Sequence, residues 1–224
     1  LVAERRKHPG NPDQDVLTRL IQGEMINGTH PASTETLSEV ELLQNCIFLL
    51  NAGHETTTNL IGNALISLIE NPMQQAVLKS DLSAAKNSQQ AELETHVLNV
   101  AVDEFLRFEA SNQLSNRRAV KATQIGGLQL PEGALVTLCI GAANRDPLQF
   151  NAPESLDLRR TPNKHLSFGF GVHQCAGLSL ARLEGRVAIG RFLNRFPNYH
   201  LSEPPTRGGR ARFRGFLKAP FITN

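Results

Sequence analysis

A glycine-rich loop that ends in a cysteine is the segment best suited to chemistry. Residues 168–177 are Phe-Gly-Phe-Gly-Val-His-Gln-Cys-Ala-Gly, and the pattern that follows predicts a helix from near Cys175 to Phe196. A cysteine at a helix N-terminus lies among unpaired backbone N–H groups, at the positive end of the helix dipole. Both effects stabilise the thiolate, which is the form of cysteine that attacks electrophiles and binds metals.

Two uses of this thiolate need partners elsewhere in the chain. A structural zinc ion takes four ligands, whereas His173 and Cys175 supply two at most and the sequence has no Cys-x-x-Cys pair. The pattern therefore argues against zinc. A cysteine hydrolase needs a general base beside the thiolate, and His165 or His54 could supply it.

A haem iron is the third use, and it needs a strong thiolate, an apolar wall and cations for the propionates. Phe168 and Phe170 could form the wall. The candidate propionate partners are His165, Arg117 and His173. From the loop alone, haem binding and cysteine hydrolysis are equally supported, and a buried, inert cysteine is the remaining alternative.

The longest apolar stretch predicts one long helix with an unusual polar centre. Ser38 and Glu41 fit a capping box, and apolar residues continue from there to Asn71-Pro72. A helix of about 33 residues is roughly 50 Å long, so we expect it to be central and buried. Residues 51–59 (Asn-Ala-Gly-His-Glu-Thr-Thr-Thr-Asn) are polar and poor helix formers, a conflict typical of functional sites. The alternative is two helices joined by an exposed polar turn.

The rest of the chain changes from helical to extended patterning near residue 110. We predict a helix from Asn11 to Gly23, a loop from Asn27 to Thr36 and a helix from Glu92 to Phe108. Two short strands are expected around Pro131-Glu132-Gly133, and residues 153–175 are expected to be irregular. In the C-terminal tail, arginines alternate with phenylalanines, which favours strands with one charged face over a nucleic-acid surface.

Composition and charge limit the class of protein. The 224 residues are 40% hydrophobic and 20% charged. Three widely spaced cysteines exclude a disulfide framework, and Cys46 and Cys139 are expected in the core. Acidic residues outnumber basic ones by 15 to 7 in residues 1–110, whereas basic residues lead by 16 to 6 in residues 111–224. The second half therefore either meets an anionic partner or interleaves with the first half, so that the charges mix.

Three motifs in this order resemble the cytochrome P450 family of haem-thiolate monooxygenases, in particular its soluble bacterial type. They are the loop of residues 168–177, the Glu-x-x-Arg pair Glu104/Arg107, and the sequence Ala-Gly-His-Glu-Thr at residues 52–56. The resemblance covers essentially the whole chain. It implies a mainly α fold with small β-sheets, in which a long central helix crosses the haem. The three widely spaced cysteines favour a reducing compartment, and no apolar run approaches the roughly 18 residues of a membrane span, so we expect a cytoplasmic protein.

The family's fold is longer than this chain, which begins at Leu1 without an initiator Met. The resemblance therefore implies that residues 1–224 are the C-terminal portion of a single cytochrome P450 catalytic domain, with the N-terminal portion absent. Residues 1–110 would be its helical part, including the central helix. Residues 111–224 would supply β-hairpins, the cysteine loop, the final helix and the tail.

The same resemblance implies roles for individual residues around the loop. Cys175 would be the axial ligand of the iron of haem b, with Phe168 and Gly169 close to it in the loop. The N–H groups around Gly177 would moderate the charge of the thiolate through hydrogen bonds. The residues implied to bind the propionates are Arg117, His165 and His173. The residues implied to form a buried, structural ion-pair network are Glu104, Arg107 and Arg160, with Arg159 as the alternative to Arg160.

The polar centre of the long helix also acquires a role through the resemblance. Thr56 and Glu55 would be a catalytic pair that delivers protons to the reacting O₂. Ala52 and Gly53 would let haem and substrate approach the helix backbone closely.

The implied reaction is reductive activation of O₂ and insertion of one oxygen atom into an organic substrate. Electrons would come from a ferredoxin or flavodoxin-type partner with its reductase, steered by a basic surface at Lys164, Arg182 and Arg186. The residues within 47–50 and 112–114 suggest a small apolar substrate. The alternatives are a haem-thiolate peroxygenase, which would use peroxide directly, and a haem-binding module without catalysis. Nucleic acid is not an expected partner.

Overall fold

Hydrophobic patterning produces a mainly helical molecule with small sheets, which confirms the predicted fold class. The computed structural model describes residues 1–23 and 37–223. In those ranges the helices are α1 (Val2–Lys7), α2 (Val16–Gln22), α3 (Glu39–Glu70), α4 (Pro72–Asn87), α5 (Ala91–Phe108), α6 (Ile140–Ala143) and α7 (Leu178–Arg195). The strands are β1 (Leu114–Arg118), β2 (Thr123–Ile125), β3 (Leu128–Leu130), β4 (Leu135–Cys139), β5 (Tyr199–Leu201), β6 (Thr206–Arg207), β7 (Phe216–Lys218) and β8 (Phe221–Thr223). The loop expected from Asn27 to Thr36 lies outside the described residues.

The chain divides into two compact units, Leu1–His54 and Glu55–Asn224, with the boundary inside α3. In the first unit, α2 begins later than the Asn11 start expected from the sequence. The cause is the Asp15 side chain, which caps the helix by accepting a hydrogen bond of 3.1 Å from the Leu17 N–H. That the whole chain is part of one domain stays a prediction.

The capping box predicted at the start of α3 is confirmed. The Ser38 N–H donates to a Glu41 carboxylate oxygen at 2.9 Å, and the Glu41 N–H donates back to Ser38 Oγ at 3.3 Å. These hydrogen bonds lower the pKa of the Glu41 carboxyl. The start of the long helix is therefore fixed by local sequence.

Helix α3 runs without a break for 32 residues, about 48 Å, through the polar segment at its centre. The alternative of two helices joined by a turn is therefore wrong. The expectation of a buried helix is correct for the second half only, where Leu60, Ala64 and Leu68 are almost fully buried. In the first half, large apolar side chains are exposed, among them Val40, Ile47, Phe48 and Leu50.

The core of the second unit lies between the second half of α3 and helices α4, α5 and α7. Its members include Leu60, Leu68, Leu78, Leu98, Phe105, Ile189 and Leu193. Two glycines of α7 permit close packing, because a Cβ at Gly185 would lie 3.1 Å from Leu60 Cδ2 and a Cβ at Gly190 would lie 2.8 Å from Leu98 Cδ1. Helix α7, which follows the cysteine loop, is therefore firmly held against α3 and α5.

Helices α1 and α4 are missing from the sequence-based expectations. The signals for α4 exist: Pro72 stands at the first helical turn, where its missing N–H costs nothing. The buried residues Leu78, Leu82 and Ala85 also repeat at helical spacing. The many polar residues between them dilute the pattern.

The strands pair differently from the hairpin expected around Pro131-Glu132-Gly133. Strand β3 pairs with β2 across a tight turn at Gly126-Gly127, whose φ angles of 55° and 82° favour glycine. Strand β4 pairs instead with β1, which places Arg117 opposite Val136. Two adjacent glycines with positive φ are the stronger signal for a two-residue hairpin.

The C-terminal part behaves largely as predicted. Residues 153–175 contain turns and one short 3₁₀ segment, Gly171–His173, in agreement with the expected irregular stretch. The tail forms strands, with β5 paired to β8 and β6 paired to β7.

Ion pairs in the second unit explain part of the charge imbalance between the two halves of the sequence. Carboxylates from positions 55–109 bind arginines from positions 159–214. These pairs are Glu55–Arg210, Asp81–Arg159, Asp103–Arg182, Glu104–Arg160 and Glu109–Arg214. For these residues, interleaving of the two halves accounts for the opposite charges.

Candidate functional site

The cysteine loop is shaped chiefly by its own backbone. Gly169 and Gly171 have φ angles of 68° and 76°, in the left-handed region that favours glycine. The chain therefore turns back on itself, and the Cys175 N–H donates a hydrogen bond of 2.8 Å to the Phe168 carbonyl oxygen. The Gln174 N–H closes the 3₁₀ turn by donating to the Gly171 carbonyl at 3.0 Å. The position of Cys175 is thus set locally.

Cys175 lies just before α7 and not in its first turn. The helix begins at Leu178 with Gly177 as its N-cap residue, three residues later than the sequence pattern suggests. Cys175 is exposed, and a Cβ at Gly177 would lie 3.9 Å from its Sγ atom. That distance is an ordinary van der Waals contact, so the accessibility of the sulfur rests on the exposure of Cys175 itself.

Exposed apolar side chains accompany the thiol in the loop. Phe170 is 84% exposed and Val172 is 98% exposed. Large apolar side chains displayed together mark surfaces that contact a ligand or another molecule. An accessible thiol with apolar neighbours fits haem, which takes one thiolate and a hydrophobic surround.

Two of the three residues predicted to bind propionates are accessible. Arg117 is exposed on β1, and its Nη1 donates to Ser115 Oγ and to the Asn116 carbonyl, both at 2.9 Å. Arg117 makes no ion pair within the described ranges 1–23 and 37–223. His173 is exposed at the end of the 3₁₀ segment. Both side chains therefore have N–H groups to offer an anionic ligand.

His165, the third predicted propionate partner, is placed differently. Its side chain is only 2% exposed, and its Nε2 lies 3.2 Å from Asp103 Oδ1. The Ser167 N–H donates to Nδ1 at 3.3 Å. Because both ring nitrogens are engaged inside the protein, the predicted propionate role does not fit this geometry.

Asp103 also binds Arg182, one of the residues expected on a surface for an electron donor. Arg182 Nε donates to Asp103 Oδ1 at 2.7 Å, and the Arg182 side chain is one-third exposed. Burial of the Asp103 carboxyl by itself raises its pKa, but the hydrogen bonds from His165 and Arg182 outweigh this effect and hold the pKa below its usual value. Arg182 is therefore already paired with Asp103, and its expected role as a docking residue stays a prediction.

The Glu-x-x-Arg pair forms a fully buried ion pair beneath the irregular segment. Arg107 Nε and Nη2 donate to the two Glu104 carboxylate oxygens, each at 2.8 Å, and both side chains are 0% exposed. The other Arg107 donors bind backbone carbonyls. These are the carbonyls of Asn144 at 3.0 Å, Pro153 at 2.8 Å and Ser155 at 2.8 Å. All five guanidinium N–H groups are thus used, which is what a buried arginine requires.

The third member of this network is Arg160 and not Arg159. Arg160 Nε donates to Glu104 Oε2 at 3.0 Å, and Asn163 Nδ2 donates to the same oxygen at 3.1 Å. Arg159 binds Asp81 instead, with Nε to Oδ2 at 2.8 Å and Nη2 to Oδ1 at 2.6 Å. This contact lowers the pKa of Asp81.

Asn144 connects the buried pair to the start of the cysteine loop. Its carbonyl accepts from Arg107, its Oδ1 accepts from the Leu166 N–H at 2.7 Å, and its Nδ2 donates to Ser167 Oγ at 2.8 Å. Ser167 Oγ in turn donates to the Leu106 carbonyl at 2.6 Å. The segment directly before Phe168 is therefore tied to α5.

The predicted proton-delivery residues stand at the beginning of the second unit. Thr56 is half-buried, and its backbone carbonyl accepts a hydrogen bond of 2.8 Å from Ser111 Oγ. The Glu55 carboxylate is paired with Arg210 from the segment between β6 and β7. Ala52 and Gly53 belong to the first unit, where both are exposed.

The hydrolase alternative loses support from these positions, because His165 already uses both ring nitrogens. Among the described residues, no group of three or more His, Cys, Asp or Glu side chains could hold a metal ion. Cys139 is exposed and Cys46 half-buried, which corrects the expectation that both lie in the core. No helix of the described chain is both long and apolar enough to cross a membrane.

Four residues that support the site could be predicted from the sequence only in part. They are Asp103, Ser111, Asn144 and Arg210. Asp103 is adjacent to Glu104, and Asn144 opens an Asn-Arg-Asp-Pro turn, but neither pattern shows that the side chain is buried or which partner it binds. Their partners lie 22 to 155 residues away in sequence.

Comparison with known proteins identifies the family of the chain. The sequence profile of the cytochrome P450 family matches residues 1–217. Cytochrome P450 107B1 of Saccharopolyspora erythraea is 39% identical over 92% of this chain, and the biotin biosynthesis cytochrome P450 of Bacillus subtilis is 37% identical over 91% of it. The chain belongs to the cytochrome P450 family.

Solved structures give the same result for the fold. P450BioI in complex with acyl carrier protein ligated to hexadec-9Z-enoic acid aligns over 100% of this chain with a TM-score of 0.84 and 35% identity. The tirandamycin C-bound monooxygenase TamI aligns over 100% with a TM-score of 0.83 and 32% identity. This chain covers 51% of each of those chains and 45% of each of the two curated relatives.

The buried ion pair leads to a stability prediction. In an Arg107→Gln variant, Glu104 would remain buried with fewer partners, so we expect the free energy of unfolding to fall by about 3–5 kcal/mol. Arg159→Gln is the matched control, because it breaks an arginine–aspartate pair whose arginine side chain is 63% exposed. The control should cost no more than about 1 kcal/mol in urea titrations of both variants. Equal losses would contradict a special role for the buried pair.

Proposed function

We propose that this protein is a haem-thiolate monooxygenase, which activates O₂ with electrons from a redox partner and inserts one oxygen atom into a small apolar substrate. The observation that carries the proposal is the exposed Cys175 thiol, held at the end of a hydrogen-bonded glycine loop in a member of the cytochrome P450 family. Because the chain covers about half the length of its relatives, the activity of the whole protein stays a proposal.

Haem b, when bound, supplies the iron at which O₂ is reduced and from which oxygen is transferred. Cys175 would ligate that iron as a thiolate, whose electron density favours O–O cleavage. Arg117 and His173 would bind the propionates with their available N–H groups. Phe170 and Val172 would exclude water from the apolar ring.

The first test is the absorption spectrum of the reduced, CO-bound protein, produced from its complete gene. We expect a strongly red-shifted Soret band in the wild type and its loss in Cys175→Ser, because serine cannot supply a thiolate. The matched control is Cys139→Ser, since Cys139 is also an exposed thiol and should leave the band unchanged. A red-shifted band that survives Cys175→Ser would refute the assignment of the ligand.

Proton delivery is proposed for Glu55 and Thr56. The Thr56 Oγ1 hydroxyl would pass a proton to the reacting oxygen, and the Glu55 carboxyl would replace that proton from solvent. Two contacts support the pair: Ser111 holds the Thr56 backbone, and Arg210 orients the Glu55 carboxylate. A haem-binding module without catalysis would have no use for such a pair.

The second test measures coupling of electron use to product formation. In Thr56→Ala we expect the share of electrons recovered in product to fall by about tenfold or more, with peroxide released instead, because the hydroxyl donor is lost. Thr58→Ala, two residues along the same helix, should change the coupling less than twofold. Unchanged coupling in Thr56→Ala, together with efficient turnover on added peroxide, would favour the peroxygenase.

A small apolar substrate is proposed from the exposed apolar segment that includes Ile47, Phe48 and Leu50. Solved structures of related proteins are complexes with hexadec-9Z-enoic acid ligated acyl carrier protein, with tirandamycin C and with testosterone. These ligands belong to different chemical classes. Membership of the family therefore does not select one substrate.

A ferredoxin or flavodoxin-type donor is proposed to dock on basic residues near the loop. With Arg182 paired inward, Lys164 and Arg186 are the remaining members of the expected surface. Double charge reversal, Lys164→Glu with Arg186→Glu, should weaken donor binding several-fold at low salt and flatten its salt dependence. Lys121→Glu is the matched control, because it reverses the charge of an exposed lysine outside this surface. An unchanged donor affinity in the double variant would refute docking at Lys164 and Arg186.

A further inference from the structure

We propose that Asp103, Arg182 and His165 act together as positioning residues for the thiolate, by clamping Phe168 and through it the backbone of Cys175. The inference rests on the proposed haem–thiolate function. It gives Arg182 and His165 a shared task in place of the docking and propionate roles suggested by sequence. These three residues are called the Asp103 clamp below.

The Asp103 clamp joins three elements at one carboxylate oxygen. Asp103 comes from α5, Arg182 from α7 and His165 from the irregular segment before the loop. Asp103 Oδ1 lies 2.7 Å from Arg182 Nε and 3.2 Å from His165 Nε2. Since the Ser167 N–H donates to His165 Nδ1, the ring proton resides on Nε2 and is donated to Asp103.

The two partners of Asp103 also hold the Phe168 ring. The Arg182 guanidinium carbon lies 4.9 Å from the ring centroid, within the range of a cation–π contact. The His165 and Phe168 ring centroids are 5.8 Å apart, at an interplanar angle of 54°. The phenyl ring is thus fixed by two side chains whose own positions are fixed by one carboxylate.

Phe168 links these side-chain contacts to Cys175 through a backbone hydrogen bond. Its carbonyl oxygen accepts the 2.8 Å hydrogen bond from the Cys175 N–H, so a shift of the Phe168 backbone would displace the backbone of Cys175. The glycines at positions 169 and 171 leave the loop backbone free to follow such a movement. A ligating sulfur is sensitive to small changes in orientation and hydrogen bonding around it.

The Asp103 clamp is separate from the buried Glu104 network. Asn144 anchors Leu166 and Ser167, the residues directly before Phe168, whereas the clamp acts on the Phe168 side chain. Within the described residues, the side chains of Asp103 and Arg182 make no hydrogen bond or ion pair with those of Glu104 or Arg107. Loss of the clamp should therefore disturb the thiolate more than it disturbs the fold.

The test uses haem-loaded protein produced from its complete gene, with Asp103→Asn, Arg182→Gln and the double variant. We expect the reduced, CO-bound protein to lose its red-shifted Soret band about tenfold faster in each single variant, because supporting groups of a metal ligand typically act at this scale. The effects in the double variant should be less than additive, since both single variants break the Asp103–Arg182 contact. Arg182→Lys should recover part of the loss, because it keeps a cation near the Phe168 ring.

Controls separate this effect from a general loss of stability. Asp81→Asn and Arg159→Gln break an aspartate–arginine pair of similar geometry elsewhere in the unit, and should change the decay rate less than twofold. Urea unfolding of every variant reports the fold. Arg182→Gln is the least disruptive change, because its side chain is one-third exposed.

Each outcome decides the matter. Decay of the Soret band at the wild-type rate in both single variants would overturn the Asp103 clamp, as would strictly additive effects in the double variant. The clamp would also be overturned if the decay rate of every variant, controls included, simply followed its loss of unfolding free energy. An effect of Arg182→Gln on donor affinity alone would return Arg182 to the docking surface. A wild-type protein without the red-shifted band would instead overturn the proposed haem–thiolate function, and the clamp with it.

Discussion

The buried pair between Glu104 and Arg107 is the constraint on which the second unit depends. Two charges with no exposure to water are stable only when every donor and acceptor is satisfied, and the guanidinium achieves this with three backbone carbonyls. Those carbonyls belong to a segment without regular secondary structure. The need to solvate one arginine therefore gives residues 144–163 their shape, and Asn144 extends this order to the cysteine loop.

Sequence reasoning succeeded where a few neighbouring residues carry the information. The capping box at Ser38 and Glu41, the long helix and the irregular stretch before Cys175 follow from local spacing and propensity. It failed where the outcome depends on a partner far along the chain. Nothing near His165 indicates that Asp103, 62 residues away, will bind its ring and bury it. Strand pairing was mispredicted for a local reason, because the hairpin forms at Gly126-Gly127 and not at Pro131-Glu132-Gly133.

The charge imbalance between the two halves of the sequence is explained in part by ion pairs that join them, which composition alone does not reveal. Acidic residues on α3, α5 and α4 meet arginines from the second half of the chain, from Asp81–Arg159 at the surface to Glu104–Arg160 in the interior. These pairs hold an extended, loop-rich half onto a helical half. One such pair, Glu55–Arg210, includes a residue proposed for proton delivery. Another, Asp103–Arg182, belongs to the residues proposed to position the thiolate.

The loop from Phe168 to Cys175 owes its path to two glycines in the left-handed region and to the hydrogen bond from the Cys175 N–H to the Phe168 carbonyl. Glycine loses more conformational entropy on folding than any other residue, so the order of this loop costs free energy that the packing of neighbouring elements must offset. A residue with a side chain at either position would exchange that entropic cost for backbone strain of about 1–2 kcal/mol. The presentation of the Cys175 sulfur therefore carries a cost in folding stability, and these two glycines are where stability and function meet.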